Sequence, residues 1–296
     1  MSPKVFMVDV AAADAAEPAS GWAGTIQEVS PGTPSLQVTD LGAQRGDGIF
    51  ETLGVVAGYP QAVETHMARF AESARLLDLP APNQAQWRDA IRSVAARLTT
   101  TSQWGIKTVL TRGVEGTGVP TGWIAATDSG SEFPLRTAGL RVVTLDRGYP
   151  SDAAQRAPWL LPGAKTLSYA VNMAALREAR RRGADGAIFV TSDGFVMEAP
   201  QSSVILRRGN RIVTPRTDIG ILLGTSQLSV FALVAEWGFE TAEKLVPTSQ
   251  LRDSDGVWLL SSVQLATPVT RVDEADIAVD RDLTDRLNAA LLARRD

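Results

Sequence analysis

The stretch Trp159-Leu160-Leu161-Pro162-Gly163-Ala164-Lys165-Thr166-Leu167-Ser168-Tyr169 sets one cation, Lys165, between an apolar run and a long amphipathic segment over residues 166–182. An ammonium held against apolar walls loses hydration, so its pKa falls toward neutrality. The neutral amine is a nucleophile that forms an imine with a carbonyl. The same residues also suit a solvated lysine at the mouth of a helix, so other segments have to decide.

Toward the C-terminus, residues 187–191 read as a strand, Asp193-Gly194 as a tight turn and residues 195–198 as the returning strand. Glu198 ends this hairpin. It suits either a protonated heterocyclic nitrogen or plain solvent, and it is expected to face the same site as Lys165. Gly220-Ile221-Leu222-Leu223-Gly224-Thr225-Ser226 runs into a helix over about 226–237. Backbone N–H groups and hydroxyls then meet at a helix N-terminus, which favours a phosphate and equally serves as an ordinary cap. Ser261-Ser262, at the end of the apolar strand 257–260, offers another hydroxyl, and Arg69 on an earlier helix offers a charged donor.

The length of 296 residues exceeds the usual single domain. Two domains are expected, 1–130 and 131–296, with the lysine on the second and a linker over 127–135. In the first, residues 36–38 and 49–56 read as strands on either side of Gly46-Asp47-Gly48, with a hairpin turn at Ala57-Gly58. Residues 65–77 and 84–98 have helical period, and 105–112 and 122–127 suggest two more strands. In the second, the helix 166–182 closes at Arg180-Arg181-Arg182 before Gly183, where positive charge and glycine both suit a helix end. Residues 204–206 and 211–213 flank Gly209-Asn210 in another hairpin, and 283–294 form a terminal helix. The expected class is mixed α/β with antiparallel-rich sheets.

Absences narrow the chemistry. There is no cysteine, which removes disulfides, thiolate metal sites and cysteine nucleophiles. His66 is the only histidine, so histidine-cluster metal sites are excluded, and a Ser-His-Asp triad would have to use a residue at the start of a helix. A net charge of -4 with no basic stripe gives nucleic acid no footprint. No apolar run reaches the roughly eighteen residues of a membrane helix. The early residues lack the basic region and apolar block of a signal peptide, so a cytoplasmic location is expected.

Taken in order, Gly46-Asp47-Gly48-Ile49-Phe50-Glu51-Thr52, His66-Met67-Ala68-Arg69, Thr111-Arg112-Gly113, Gly163-Ala164-Lys165-Thr166-Leu167-Ser168-Tyr169 with Asn172, Asp193-Gly194, Glu198-Ala199-Pro200-Gln201-Ser202-Ser203, Leu223-Gly224-Thr225-Ser226 and Thr267-Pro268-Val269 form a series. Over residues 36–273 this series resembles the fold-type IV pyridoxal-phosphate enzymes, which include aminodeoxychorismate lyase, D-amino-acid aminotransferase and branched-chain aminotransferase. The resemblance implies pyridoxal 5'-phosphate as cofactor, a small-molecule substrate and a homodimer. It implies that Lys165 attaches the cofactor and shuttles a proton, and that Glu198 pairs with the pyridine nitrogen. Arg69, Thr225, Ser226 and Ser262 would hold the phosphate, and Ile221 or a neighbouring leucine would pack on the ring. Thr225-Ser226 stands where the commonest family wording is Ile-Thr; both supply the same N–H donors and a hydroxyl.

Within the family, the D-amino-acid enzymes carry an arginine and a histidine soon after Thr-Arg-Gly. Here Gly113-Val114-Glu115-Gly116-Thr117-Gly118-Val119-Pro120-Thr121 has neither. The branched-chain enzymes carry a tyrosine five places after the lysine, where this chain has Ala170. The wording over residues 160–168 resembles the lyases more. That implies release of pyruvate from aminodeoxychorismate to leave 4-aminobenzoate, in folate biosynthesis, with Arg112 meeting the substrate's carboxylates. The aminotransferases are the alternative. A non-catalytic metabolite-binding descendant is another, although it would be expected to lose the lysine or the phosphate ligands kept here. A P-loop needs Gly directly before Lys, and a dinucleotide fingerprint needs a third glycine after Gly46-Asp47-Gly48; both are missing.

Overall fold

A computed structural model of the chain describes residues 3–295. Its contacts divide into two compact units. The first holds the residues up to Ser131 together with Ala164–Tyr169 and Arg295, and the second holds Glu132–Gly163 and Ala170–Arg294.

In the first unit, β1 (Lys4–Val8), β2 (Ile26–Val29), β3 (Gly48–Val56), β4 (Tyr59–Pro60), β5 (Gln103–Thr111) and β6 (Thr121–Gly130) make one antiparallel sheet, ordered β2-β1-β6-β5-β3-β4. Residues 36–38, expected as a strand, form none. Asp40 instead accepts a hydrogen bond from the Gly42 N–H (2.8 Å) and opens the single-turn helix α1 (Leu41–Arg45), which Gly46 closes in the left-handed region at φ 67. A capping carboxylate outweighs a three-residue apolar alternation. The helices α2 (Val63–Leu76) and α3 (Gln84–Ala95) follow, and the Phe70 and Trp87 rings lock them edge to face at 5.3 Å. Along β3, Ile49, Glu51, Leu53 and Val55 are all buried, by the two-residue period of a strand.

β4 is two residues long and pairs only with Val55 and Val56. The edge of β3 at residues 48–50 is taken instead by the lysine segment. The Phe50 N–H donates to the Lys165 carbonyl (3.0 Å), the Leu167 N–H donates to the Gly48 carbonyl (2.8 Å), and Ile49 bridges Thr166. This extended pairing satisfies backbone groups that an edge would leave bare. It has two consequences for the expectations. The helix read over 166–182 starts only at Ala170, and Lys165, expected on the second domain, lies in the first unit.

In the second unit, β7 (Leu140–Asp146), β8 (Gly186–Val190), β9 (Ser203–Arg208), β10 (Arg211–Pro215), β11 (Glu240–Lys244), β12 (Gly256–Ser261) and β13 (Leu265–Val272) are ordered β11-β10-β9-β12-β13-β7-β8, with β14 (Ala275–Asp276) on β13. β7 runs parallel to β8 and β13, and β11 to β10; the other pairs are antiparallel. The class is mixed α/β with antiparallel-rich sheets, as expected. The helices are α4 (Pro134–Ala138), α5 (Ala153–Arg156), α6 (Ala170–Arg181), α7 (Thr225–Glu236), α8 (Ser249–Arg252) and α9 (Arg281–Ala293). Alternation separates two cores: Val204, Leu206, Val257 and Leu259 join one, while Ile205, Trp258 and Leu260 join the other with Val230 and Val234 of α7 and Leu283 and Leu287 of α9.

The buried Trp258 Nε1–H donates to Thr284 Oγ1 of α9 (2.7 Å), tying that helix to the sheet. Thr284→Val keeps the shape and strands the indole donor, so it is expected to destabilise the chain by about 1–3 kcal/mol. Urea unfolding should show a lower midpoint with an unchanged slope, and Thr284→Val should cost less in a Trp258→Phe background than in the parent.

Candidate active site

Lys165 is fixed through its backbone. Besides the strand pairing, its N–H donates to Ser73 Oγ of α2 (3.1 Å). The amine stands over the Phe50 ring, 4.4 Å from the centroid, and Tyr169 meets the same ring edge-on at 5.5 Å. Trp159 and Leu160, expected to wall the amine, are largely exposed, so Phe50 supplies the apolar surface seen at Lys165.

On the opposite face of β3, Glu51 is fully buried. Arg69 of α2 grips it with Nε to Oε1 (2.7 Å) and Nη2 to Oε2 (2.6 Å), and His66 Nδ1 lies 2.7 Å from Oε2. Burial is the largest influence on the Glu51 carboxyl and pushes its pKa up. Arg69 and then His66 outweigh it together and hold the group far below the usual carboxylate range. An ionised carboxylate can only accept, so His66 Nδ1 carries the proton. For His66, burial comes first and lowers the pKa; Glu51 pulls it up, and the charges of Arg69 and Lys165 push it down again. The net direction is down, leaving a neutral imidazole. This network was not read from the sequence, although a glutamate at a buried position of an alternating strand was the available signal.

In the second unit, the Asp193-Gly194 turn returns the chain along β8. The Phe189 N–H donates to the Glu198 carbonyl (2.8 Å) and the Met197 N–H to the Phe189 carbonyl (2.9 Å). Glu198 Oε2 accepts the Leu222 N–H (3.2 Å), next to the buried Ile221. At the start of α7 the cap residue is Gly224, which brings no side chain to the first-turn N–H groups. A Cβ there would fall 2.1 Å from Ser203 Oγ, so a larger residue would have to displace that hydroxyl. Thr225 and Ser226 are buried in that turn, and Thr225 Oγ1 lies 3.4 Å from Ser262 Oγ.

Arg112, expected to meet substrate, is committed elsewhere. Its Nε and Nη2 take Asp47 Oδ2 (2.7 Å) and Oδ1 (3.1 Å), and Nη2 and Nη1 donate to the carbonyls of Leu77 (2.7 Å) and Asp78 (3.0 Å). The hydrogen bonds to Asp47 raise its pKa. These bonds bind the end of α2 to α1 and β3, a structural task.

The amino-transferase class IV family matches residues 48–272, and the chain belongs to it. A bifunctional aminodeoxychorismate lyase / D-amino acid transaminase from Mycobacterium tuberculosis is 40% identical over 83% of this chain and 88% of its own length. Among solved structures, a fold IV-transaminase, CpuTA1, from Curtobacterium pusillum has TM-score 0.91 and 45% identity, over 99% of this chain and 100% of its own. A hypothetical aminotransferase from Mycobacterium tuberculosis, in its PLP-bound form, has TM-score 0.89 and 36% identity, over 98% and 99%. The chain is therefore a fold-type IV pyridoxal-phosphate enzyme, a lyase or a transaminase. Its residues fit that group: a glycine-capped helix N-terminus with buried hydroxyls suits a phosphate, and Glu198, steadied by Leu222, suits a pyridinium. Among the described residues no helix is long and apolar enough to cross a membrane.

Because the His66 pKa is lower in the folded chain than in the unfolded one, the unfolded state takes up the proton first. The stability His66 contributes is present above about pH 6.5 and is lost as pH falls below it; Glu51 adds its own loss below about pH 4.3. The unfolding free energy should therefore fall between pH 7 and pH 5 with a His66 slope of at most about 1.4 kcal/mol per pH unit. Urea titrations should find that slope flattened in His66→Asn, with the steeper loss at lower pH retained. An unchanged slope would remove His66 as its source.

Proposed function

We propose that this enzyme is a pyridoxal-phosphate-dependent aminodeoxychorismate lyase that forms 4-aminobenzoate and pyruvate, with slower transamination of D-amino acids. One observation carries the reading. Residues 113–121 hold neither arginine nor histidine, and Arg112 is taken up by Asp47, Leu77 and Asp78. An α-amino acid would bring a carboxylate on its reacting carbon without those charged partners, forfeiting about 1.5–3 kcal/mol per missing hydrogen bond. The lyase substrate has no carboxylate on that carbon. The name of the Mycobacterium tuberculosis relative supports the same pair of activities. A mainly transaminating enzyme is the second reading, favoured by the likeness to the Curtobacterium pusillum transaminase.

Pyridoxal phosphate, when bound, supplies an electron sink for negative charge at the amine-bearing carbon. We assign Lys165 its covalent attachment and the movement of the proton at that carbon. Glu198 keeps the pyridine nitrogen protonated; Arg69, Thr225, Ser226 and Ser262 hold the phosphate; Ile221 packs on the ring. The ring carbon beside the amine-bearing one loses its enolpyruvyl oxygen, and the departing group gains a proton to become pyruvate. A cytoplasmic homodimer in folate biosynthesis belongs to the same proposal, and light scattering tests the dimer.

The value of kcat/KM for 4-aminobenzoate release is expected to exceed that for D-alanine, D-glutamate or L-leucine with 2-oxoglutarate. An amino acid that wins by tenfold or more replaces the lyase with the transaminase. Lys165→Ala should lose at least about a thousandfold in turnover. After borohydride reduction and digestion, mass spectrometry should find the pyridoxyl group on Lys165; finding it on another lysine overturns the assignment.

A further inference from the structure

Lys107 lies on β5 opposite Thr52 of β3, and Val109 lies opposite Phe50. Alternation puts Phe50, Thr52, Lys107 and Val109 on one face of the sheet, and Glu51 and Thr108 on the other. Lys107 thus shares the Lys165 face. Its Nζ stands 4.3 Å from the centroid of the Phe50 ring, and the Lys165 Nζ stands 4.4 Å from the same centroid. The two amines are no further apart than those distances laid end to end, a gap that one substituted six-membered ring bridges.

Lys107 differs from its neighbours in having no carboxylate or carbonyl partner among the described residues; its contact is the Phe50 ring. Arg112, five residues along the chain, has an aspartate and two carbonyls. Burial lowers the Lys107 pKa, yet the residue keeps much of its surface in solvent. Protein therefore walls the ammonium on some sides and leaves a path open on another. A partly desolvated cation without a counter-ion gains more than a fully hydrated one when an anion arrives. The substrate proposed above carries its amine and its carboxylates on one small ring system, and Arg112 is not available to them.

We propose that Lys107 receives a carboxylate of the substrate whose amine-bearing carbon exchanges its proton with Lys165, and so selects anionic ring amines. This rests on the lyase reading only for the identity of the anion.

The test uses binding as well as turnover. Calorimetry on the holoenzyme compares 4-aminobenzoate with 4-aminobenzamide, which has the same shape without the charge. The parent should prefer the carboxylate probe by roughly tenfold, as one charge-assisted hydrogen bond allows. Lys107→Met and Lys107→Gln should abolish the preference, and Lys107→Arg should keep most of it. For aminodeoxychorismate, KM should rise in the neutral variants with kcat nearly unchanged. A preference that survives both neutral variants overturns the proposal, as does a parent without any preference. A role confined to repelling the Lys165 ammonium would move both probes together, which also overturns it. If the parent releases no 4-aminobenzoate while the preference still depends on Lys107, the lyase reading fails and the carboxylate site stands. If release is observed and the preference ignores Lys107, the reverse holds.

Discussion

Two backbone hydrogen bonds between residues 165–167 and residues 48–50 hold Lys165 in place. They tie the loop that carries Lys165 to the edge of β3. The pairing needs Gly48 to be small, since a Cβ there would meet the Leu110 carbonyl oxygen and Leu167 Cδ1, each at 2.8 Å. The lysine side chain stands over the Phe50 ring.

The other face of β3 carries the opposite kind of constraint. Glu51 is a charge placed where alternation demands an apolar residue, tolerated because Arg69 and His66 supply hydrogen bonds to both oxygens. Removing one partner of such a buried pair costs about 3–5 kcal/mol, because the remaining charge is uncompensated. The Gly46–Thr52 and His66–Arg69 motifs are therefore one object in space. It follows that the guanidinium assigned to the phosphate is also a counter-ion of the core, and its loss confounds affinity with stability.

Much of the architecture was legible in the sequence. The hairpin at Ala57-Gly58, the helices over 65–77 and 84–98, and the Gly209-Asn210 turn stand where period and turn chemistry put them, because local preference and tertiary packing agree there. Elements failed to read where the two disagree. Residues 166–169 precede a helix yet stay extended with a single bridge at Thr166, since only the distant edge of β3 decides between the states. Strands β1, β2 and β7 went unread for a related reason: partners distant in the sequence define them. Of the candidate residues, Arg112 was singled out by its motif, whereas its occupation by Asp47 depends on a fold that brings α1 and the end of α2 together. Lys107 sits in the middle of an ordinary strand pattern, and only the shared aromatic ring marks it.

The return of residues 164–169 to the first sheet also fixes an order of events during synthesis. When Ser131 has emerged from the ribosome, the sheet still lacks the segment that closes the edge of β3, and thirty-odd further residues must be made before it arrives. Through that interval residues 48–50 present open N–H and C=O groups, a template for pairing with any extended chain nearby. A fragment ending at Ser131 would carry that open edge permanently. The segment that carries Lys165 is thus also the one that seals the N-terminal sheet against aggregation.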